Sequence, residues 1–123
     1  MRNLYILMFV CVLSGCNAKT TCTLEARFGL TISLYDNVSG EPVSICDLSY
    51  IISDAEYLDD GDWIETLPCD NTFYIASATE RAGVYDIQIN KVGYEVWENK
   101  GVIVYSDVCH VEAVSLDAFL IPK

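Results

Sequence analysis

Leu30-Thr31-Ile32-Ser33-Leu34-Tyr35-Asp36-Asn37-Val38-Ser39-Gly40 decides how this chain folds. Leu30, Ile32 and Leu34 alternate with Thr31, Ser33 and Tyr35, the period of two that sends successive side chains to opposite faces of a strand. Asp36 to Gly40 then supply turn chemistry ahead of Pro42. The same pattern recurs downstream. From Ser44 to Ser53, the residues Cys46, Leu48, Tyr50 and Ile52 fall on one face. Asp60-Gly61 marks a turn that leads into a strand from Trp63 to Leu67, and Phe73 with Ile75 marks a short strand. Tyr85, Ile87 and Ile89 alternate with Asp86, Gln88 and Asn90. Tyr94, Val96 and Trp97 follow Gly93, Val102 and Val104 share a face, and so do Val114, Leu116, Ala118 and Leu120. Val111 is out of phase with that last set, which predicts a β-bulge near Glu112-Ala113. No segment carries a sustained helical period with caps. Seven or eight short strands punctuated by Gly, Asn and Asp predict an all-β chain, a Greek-key β-sandwich.

The amino terminus carries an address. Met1-Arg2-Asn3 is positively charged, an apolar run extends from Leu4 to Leu13, and Ser14-Gly15 leads directly into Cys16. These are the parts of a secretory signal. The apolar run is too short for a hydrocarbon core that needs roughly 20 helical residues. The Leu13-Ser14-Gly15-Cys16 stretch resembles a bacterial lipobox. That resemblance implies diacylglyceryl transfer to Cys16, cleavage between Gly15 and Cys16, and acylation of the new amino terminus. The expected organisation is a signal peptide over 1–15, a lipidated cysteine and short tether over 16–26, and a domain over 27–123. Asn17, rather than Asp, after the acylated cysteine is compatible with the outer membrane of a diderm organism.

Removing residues 1–15 leaves 108 residues, which suits one domain. All 18 Asp and Glu fall in this part against six Lys and Arg, a net charge of −12. Such a charge excludes nucleic acid, whose binding rests on Lys and Arg neutralising phosphates. It also opposes adhesion to anionic lipid, so the acyl chains on Cys16 must hold the protein at the membrane. Asn17 to Thr21 reach about 17 Å at most, which keeps the domain near the headgroups.

With Cys11 removed and Cys16 acylated, Cys22, Cys46, Cys69 and Cys109 remain. An even number in an exported chain favours two disulfides. No two stand in a C-x-x-C spacing, which leaves a redox motif or zinc knuckle unsupported. Three pairings are open on count alone. Cys22 precedes the first strand and Cys109 starts the last, so their bond would staple the chain ends. Cys46 shares a face with Leu48, and Cys69 follows a strand expected to fold back across Asp60-Gly61. The expected pairs are therefore Cys22–Cys109 and Cys46–Cys69.

Three stretches fall in order: Thr31-Ile-Ser-Leu-Tyr-Asp-Asn-Val-Ser-Gly-Glu-Pro-Val43, Ala82-Gly-Val-Tyr-Asp-Ile-Gln-Ile-Asn-Lys-Val-Gly-Tyr94, and Val102-Ile-Val-Tyr105. Together they resemble a carboxypeptidase regulatory-like domain, which implies the transthyretin-like (prealbumin-like) β-sandwich. Glu80-Arg81-Ala82-Gly83-Val84-Tyr85 and Cys109-His110-Val111 resemble small bacterial lipoproteins bearing that domain. In metallocarboxypeptidases the domain accompanies a separate catalytic domain. This chain has no room for one, so peptidase activity is not implied.

Asp54, Glu56, Asp59, Asp60, Asp62 and Glu65 crowd six carboxylates into one segment. Oxygen ligands this close could hold Ca²⁺, with Asp59, Asp60 and Asp62 the candidates. EF-hand spacing fails, because placing Gly61 at loop position six puts Leu58 at position three and Leu67 at position twelve. A solvated hairpin tip is the expected reading, with no metal and no cofactor. His110 is the only histidine. A base needs an adjacent nucleophile, and the thiol beside it is expected in a disulfide, so His110 reads as structural. Glu80-Arg81 reads as a loop ion pair that orients the following strand. Among Tyr50, Tyr57, Trp63, Phe73, Tyr74, Tyr85, Tyr94 and Trp97, most belong in a core. An outward set would offer a sugar or peptide platform. The functional expectation is a lipid-anchored envelope binding or scaffolding module without catalytic activity, its partner an envelope protein or a glycan. A calcium- or carbohydrate-binding adhesion domain is the alternative, and a hydrolase the least favoured.

Overall fold

The period-two stretches become strands that close two sheets over one interior. The computed structural model describes residues 22–123, so Cys16 and the leader lie outside the described residues. Its strands are β1 (Phe28–Asp36), β2 (Leu48–Ser53), β3 (Leu58–Asp59), β4 (Tyr74–Thr79), β5 (Gly83–Lys91), β6 (Trp97–Val104) and β7 (Val114–Leu120). One sheet has the order β4-β1-β7 and the other β3-β2-β5-β6. Pairs are antiparallel except β1 with β7, which run parallel from Leu30↔Val114 to Asp36↔Leu120. Among the described residues there is no α-helix, and none long and apolar enough to cross a membrane. The chain is all-β, and its two sheets share a sandwich-like core.

The alternation places that core. Leu30, Ile32 and Leu34 from β1, Ile75 from β4, and Ala118 and Leu120 from β7 are buried. They meet Tyr50 and Ile52 from β2 and Tyr85, Ile87 and Ile89 from β5 in one hydrophobic cluster. Burying each Leu or Ile contributes roughly 1.5–3 kcal/mol relative to exposure. The opposite face of β1 and β7 carries Tyr35 stacked on Phe119, ring centroids 5.3 Å apart. The Asp36–Gly40 turn forms as its residue types dictate. The Asp36 carboxylate accepts from the backbone N–H groups of Val38 and Ser39 at 2.8 and 2.9 Å, and Gly40 takes φ 74°.

Several expectations need correction. Trp63 to Leu67 is not a strand but a 3₁₀ turn, Asp62–Thr66, followed by a second at Cys69–Asn71. The strand that pairs with β2 is instead the two-residue β3, through Ile52↔Asp59 and Ser53↔Leu58. The strand expected from Ser44 starts only at Leu48. Asp47 takes φ 53°, which breaks an extended backbone, and Ile45 rather than Cys46 is buried. No bulge forms at Glu112-Ala113, because β7 begins at Val114 and Val111 belongs to an isolated bridge with Ser106. The irregular register lies between Tyr85 and Ile87, where β5 pairs with β6.

Both disulfides form as paired above, with Cα–Cα distances of 5.1 Å for Cys22–Cys109 and 4.8 Å for Cys46–Cys69. Their settings differ from the expectation. Cys109 lies in the β6–β7 loop, and Cys69 opens the second 3₁₀ turn. Neither bond lies within a sheet, and each ties an irregular segment to another. Sequence separations of 87 and 23 give about 4.6 and 3.5 kcal/mol in the chain-entropy model, as upper figures. We expect Cys22→Ser/Cys109→Ser to lower unfolding free energy more than Cys46→Ser/Cys69→Ser in urea titrations. Equal, negligible losses would show that neither loop limits the unfolded chain.

Candidate functional site

β3 and β4 are edge strands of opposite sheets, and the sandwich must be closed between them. Asp59 does this. Its Oδ2 accepts the Ser77 hydroxyl of β4 at 2.6 Å and the Tyr50 hydroxyl of β2 at 2.9 Å, while Oδ1 accepts the Gly61 N–H at 3.0 Å. Trp63 Nε1 donates to the Tyr50 hydroxyl, which draws the 3₁₀ turn over the junction. Burial, then the Asp59 hydrogen bond, pushes the Tyr50 phenol well above its ordinary value. Gly61 is required here: its φ is 78°, and a Cβ would sit 2.7 Å from the Tyr50 ring.

Beside this junction opens a cleft of about 510 Å³. Phe28, Tyr57, Trp63 and Tyr74 form its aromatic walls, Asp59 and Ser77 its polar centre, and Ala76 to Thr79 of β4 its floor. Tyr57 packs edge-on against Tyr85 at 5.8 Å, and its hydroxyl lies 3.3 Å from Ser77 Oγ and accepts the Ala78 N–H at 3.3 Å. Volume and lining fit a binding site with few placed polar groups. Sequence reading named Tyr57, Trp63 and Tyr74 among the aromatics and Asp59 among the carboxylates. It missed Phe28, Ser77 and the alanines of the floor, which carry no local signal.

Glu56, Asp60, Asp62 and Glu65 are exposed, as expected of a solvated acidic segment, whereas Asp54 and Asp59 are drawn into specific contacts. Asp54 accepts both guanidinium nitrogens of Arg81, at 2.6 and 3.2 Å, and caps the backbone N–H groups of Glu56 and Tyr57. Arg81 also lies 4.8 Å over the Tyr57 ring, a favourable cation–π position. Asp59, Asp60 and Asp62 do come together, with ligand oxygens within 4.8 Å of one another. Ca²⁺ takes six to eight oxygens, and Asp59 already accepts three hydrogen bonds. We therefore expect millimolar Ca²⁺ to leave the melting temperature unchanged. A rise of several degrees, abolished by Asp60→Asn/Asp62→Asn, would contradict this.

Glu80 and Arg81 do not pair with each other. Glu80, at φ 49°, reaches the β6–β7 loop and the N-terminal segment. Its Oε1 lies 2.7 Å from His110 Nδ1 and accepts the Arg27 N–H at 2.7 Å, and its Oε2 accepts the Val111 N–H at 3.3 Å. His110 Nε2 lies 2.8 Å from Thr23 Oγ1. Hydroxyl, imidazole and carboxylate thus stand in the order used by acyl-transfer triads. The neighbouring backbone donors are committed elsewhere, however. The N–H groups of Cys109 and His110 both bond Asp107 Oδ1 at 2.8 Å. The set therefore acts as a clamp joining three segments.

The two halves of the Glu80–Tyr85 and Cys109–Val111 resemblance are joined by this clamp. The Asp36 turn and Tyr94 likewise meet, Tyr94 donating to Asp36 Oδ2 at 2.8 Å. These stretches hold loops in place. Compared with protein-family models and with curated proteins, the chain matches none.

Four carboxyls sit below their ordinary values: Glu80 through His110, Asp54 through Arg81, Asp36 through the Ser39 N–H, and Asp107 through the His110 N–H. Ordinary values are 4.5 for Glu80 and 3.8 for the aspartates. Native values below these mean that their stabilisation is complete above about pH 4.5 and lost as pH falls through the depressed range. We expect melting temperature to hold from pH 7 to 5 and drop below pH 4, with a shallower drop in Glu80→Gln. An acid limb unchanged by Glu80→Gln and Asp54→Asn would refute the assignment.

Proposed function

We propose that this chain is a lipid-anchored, extracytoplasmic module that binds an envelope partner in the cleft between β3 and β4 and catalyses no reaction. The cleft carries the reading: aromatic walls offer apolar area, and the polar groups at its centre already hydrogen-bond one another, so none is poised as a nucleophile. Two disulfides mark an oxidising, extracytoplasmic compartment. The lipobox-like Leu13–Cys16 stretch, outside the described residues, supports an anchor at Cys16. The chain passes between the sheets after β1, β3, β4 and β6, which supports a Greek-key, transthyretin-like arrangement of the carboxypeptidase regulatory-like type.

A hydrolase is the second reading, favoured only by the Thr23–His110–Glu80 order. Turnover of p-nitrophenyl acetate above the rate of Thr23→Val would establish it; we expect none.

The test of the leading reading places a photo-crosslinking residue at Tyr74, in the cleft, or at Val84, exposed on β5. In cells, Tyr74 should give a discrete adduct and Val84 none. Cys16→Ala should lose fatty-acid label and the adduct together. Equal adducts from both positions, or equal label on wild type and Cys16→Ala, would overturn it.

A further inference from the structure

The cleft floor is an edge strand, and the direction of its backbone groups can be derived. Leu34 N–H donates to Phe73 C=O at 3.0 Å. The same antiparallel register pairs Ile32 with Ile75 and Leu30 with Ser77. In such a ladder hydrogen-bonded and non-hydrogen-bonded pairs alternate. Phe73, Ile75 and Ser77 therefore face β1 with their backbone groups, whereas Tyr74, Ala76 and Ala78 turn theirs outward. Ala78 is already satisfied: its N–H donates to the Tyr57 hydroxyl, and its C=O accepts the Arg81 N–H. Ala78 also takes φ 56°, so the extended edge stops there. Tyr74 and Ala76 remain, and among the described residues no group bonds their outward N–H and C=O. An unpaired edge of this kind is a template for another strand.

Charge narrows the occupant. The cleft is lined by Asp59 and by no Lys, Arg or His, and the exposed Asp60 and Asp62 stand beside Asp59. The surrounding domain is strongly acidic. Resting on the cleft reading above, we propose that the partner is an extended polypeptide segment bearing basic side chains. It adds to β4 by backbone hydrogen bonds at Tyr74 and Ala76. One set of its alternating side chains lies against Trp63 and Tyr74, and its positive charges face Asp59, Asp60 and Asp62. Main-chain pairing supplies affinity in this mode, and the pockets for alternate side chains supply specificity.

The probe is a capped hexapeptide alternating lysine and valine, titrated into the full chain with amide NMR as readout. The expected result is saturable binding that shifts the Tyr74 and Ala76 amides. Two N-methylated versions, modified on all valines or on all lysines, should differ, one binding at least tenfold more weakly because its partner-facing donors are gone. A glutamate-valine peptide should not bind. Ala76→Pro, which removes the outward donor, should also weaken binding at least tenfold, with its urea transition as the check on folding. Equal binding of both N-methylated peptides would reduce the interaction to charge alone and overturn strand addition, as would absence of binding. If Tyr74 still crosslinks a partner in Ala76→Pro cells, the binding cleft stands and strand addition falls.

Discussion

Two sheets pressed face to face leave edges that face-to-face burial cannot close, and the rest of this molecule answers that constraint. Leu30, Ile32 and Leu34 against Tyr85, Ile87 and Ile89 supply the adhesion. At the side where β3 and β4 meet, apolar packing gives way to a polar junction centred on Asp59. One carboxylate holds Ser77 of one sheet and Tyr50 of the other, and Tyr50 in turn holds Trp63. An unpaired carboxylate at this depth would be costly, so its three donors and the carboxylate require each other.

The cleft follows from the way that edge is closed. β3 is only two residues long, so it cannot shield β4 along its length, and the 3₁₀ turn carrying Trp63 roofs only part of the gap. Left-handed backbone at Gly61 and Ala78 fixes the turn and the end of the floor. Two clamps tie the neighbouring loops down: Asp54 with Arg81, and Glu80 with His110. The disulfides anchor segments that carry no strand of their own. The result is an acidic, aromatic recess beside a strand edge, the shape on which the binding proposal rests.

Much of the fold was legible because burial and alternation coincide. The buried positions of β1, β5 and β7 are those that the period of two picks out, and the Cys22–Cys109 pair followed from chain position. The Cys46–Cys69 pair formed although the strand expected to bring it together is a 3₁₀ turn. Trp63 to Leu67 misled because the Asp60-Gly61 turn signal ahead of it reads as the bend of a hairpin. Ile64 is buried and Trp63 and Leu67 are partly buried against the core, which is the spacing of a helical turn. The Glu80-Arg81 dipeptide reads as a local pair, yet its partners, His110 and Asp54, lie 30 and 27 residues away. Ser77 and the small residues of β4 carry no signature at all. They matter only because Asp59 and Tyr57 arrive opposite them.

Native-state amide exchange of the full chain without any partner tests the open β4 edge most directly. The account predicts protected Ile75 and Ser77 amides, which donate to β1, and faster exchange at Tyr74 and Ala76 between them. Protection at Tyr74 and Ala76 equal to that at Ile75 and Ser77 would show the edge already paired and contradict the account.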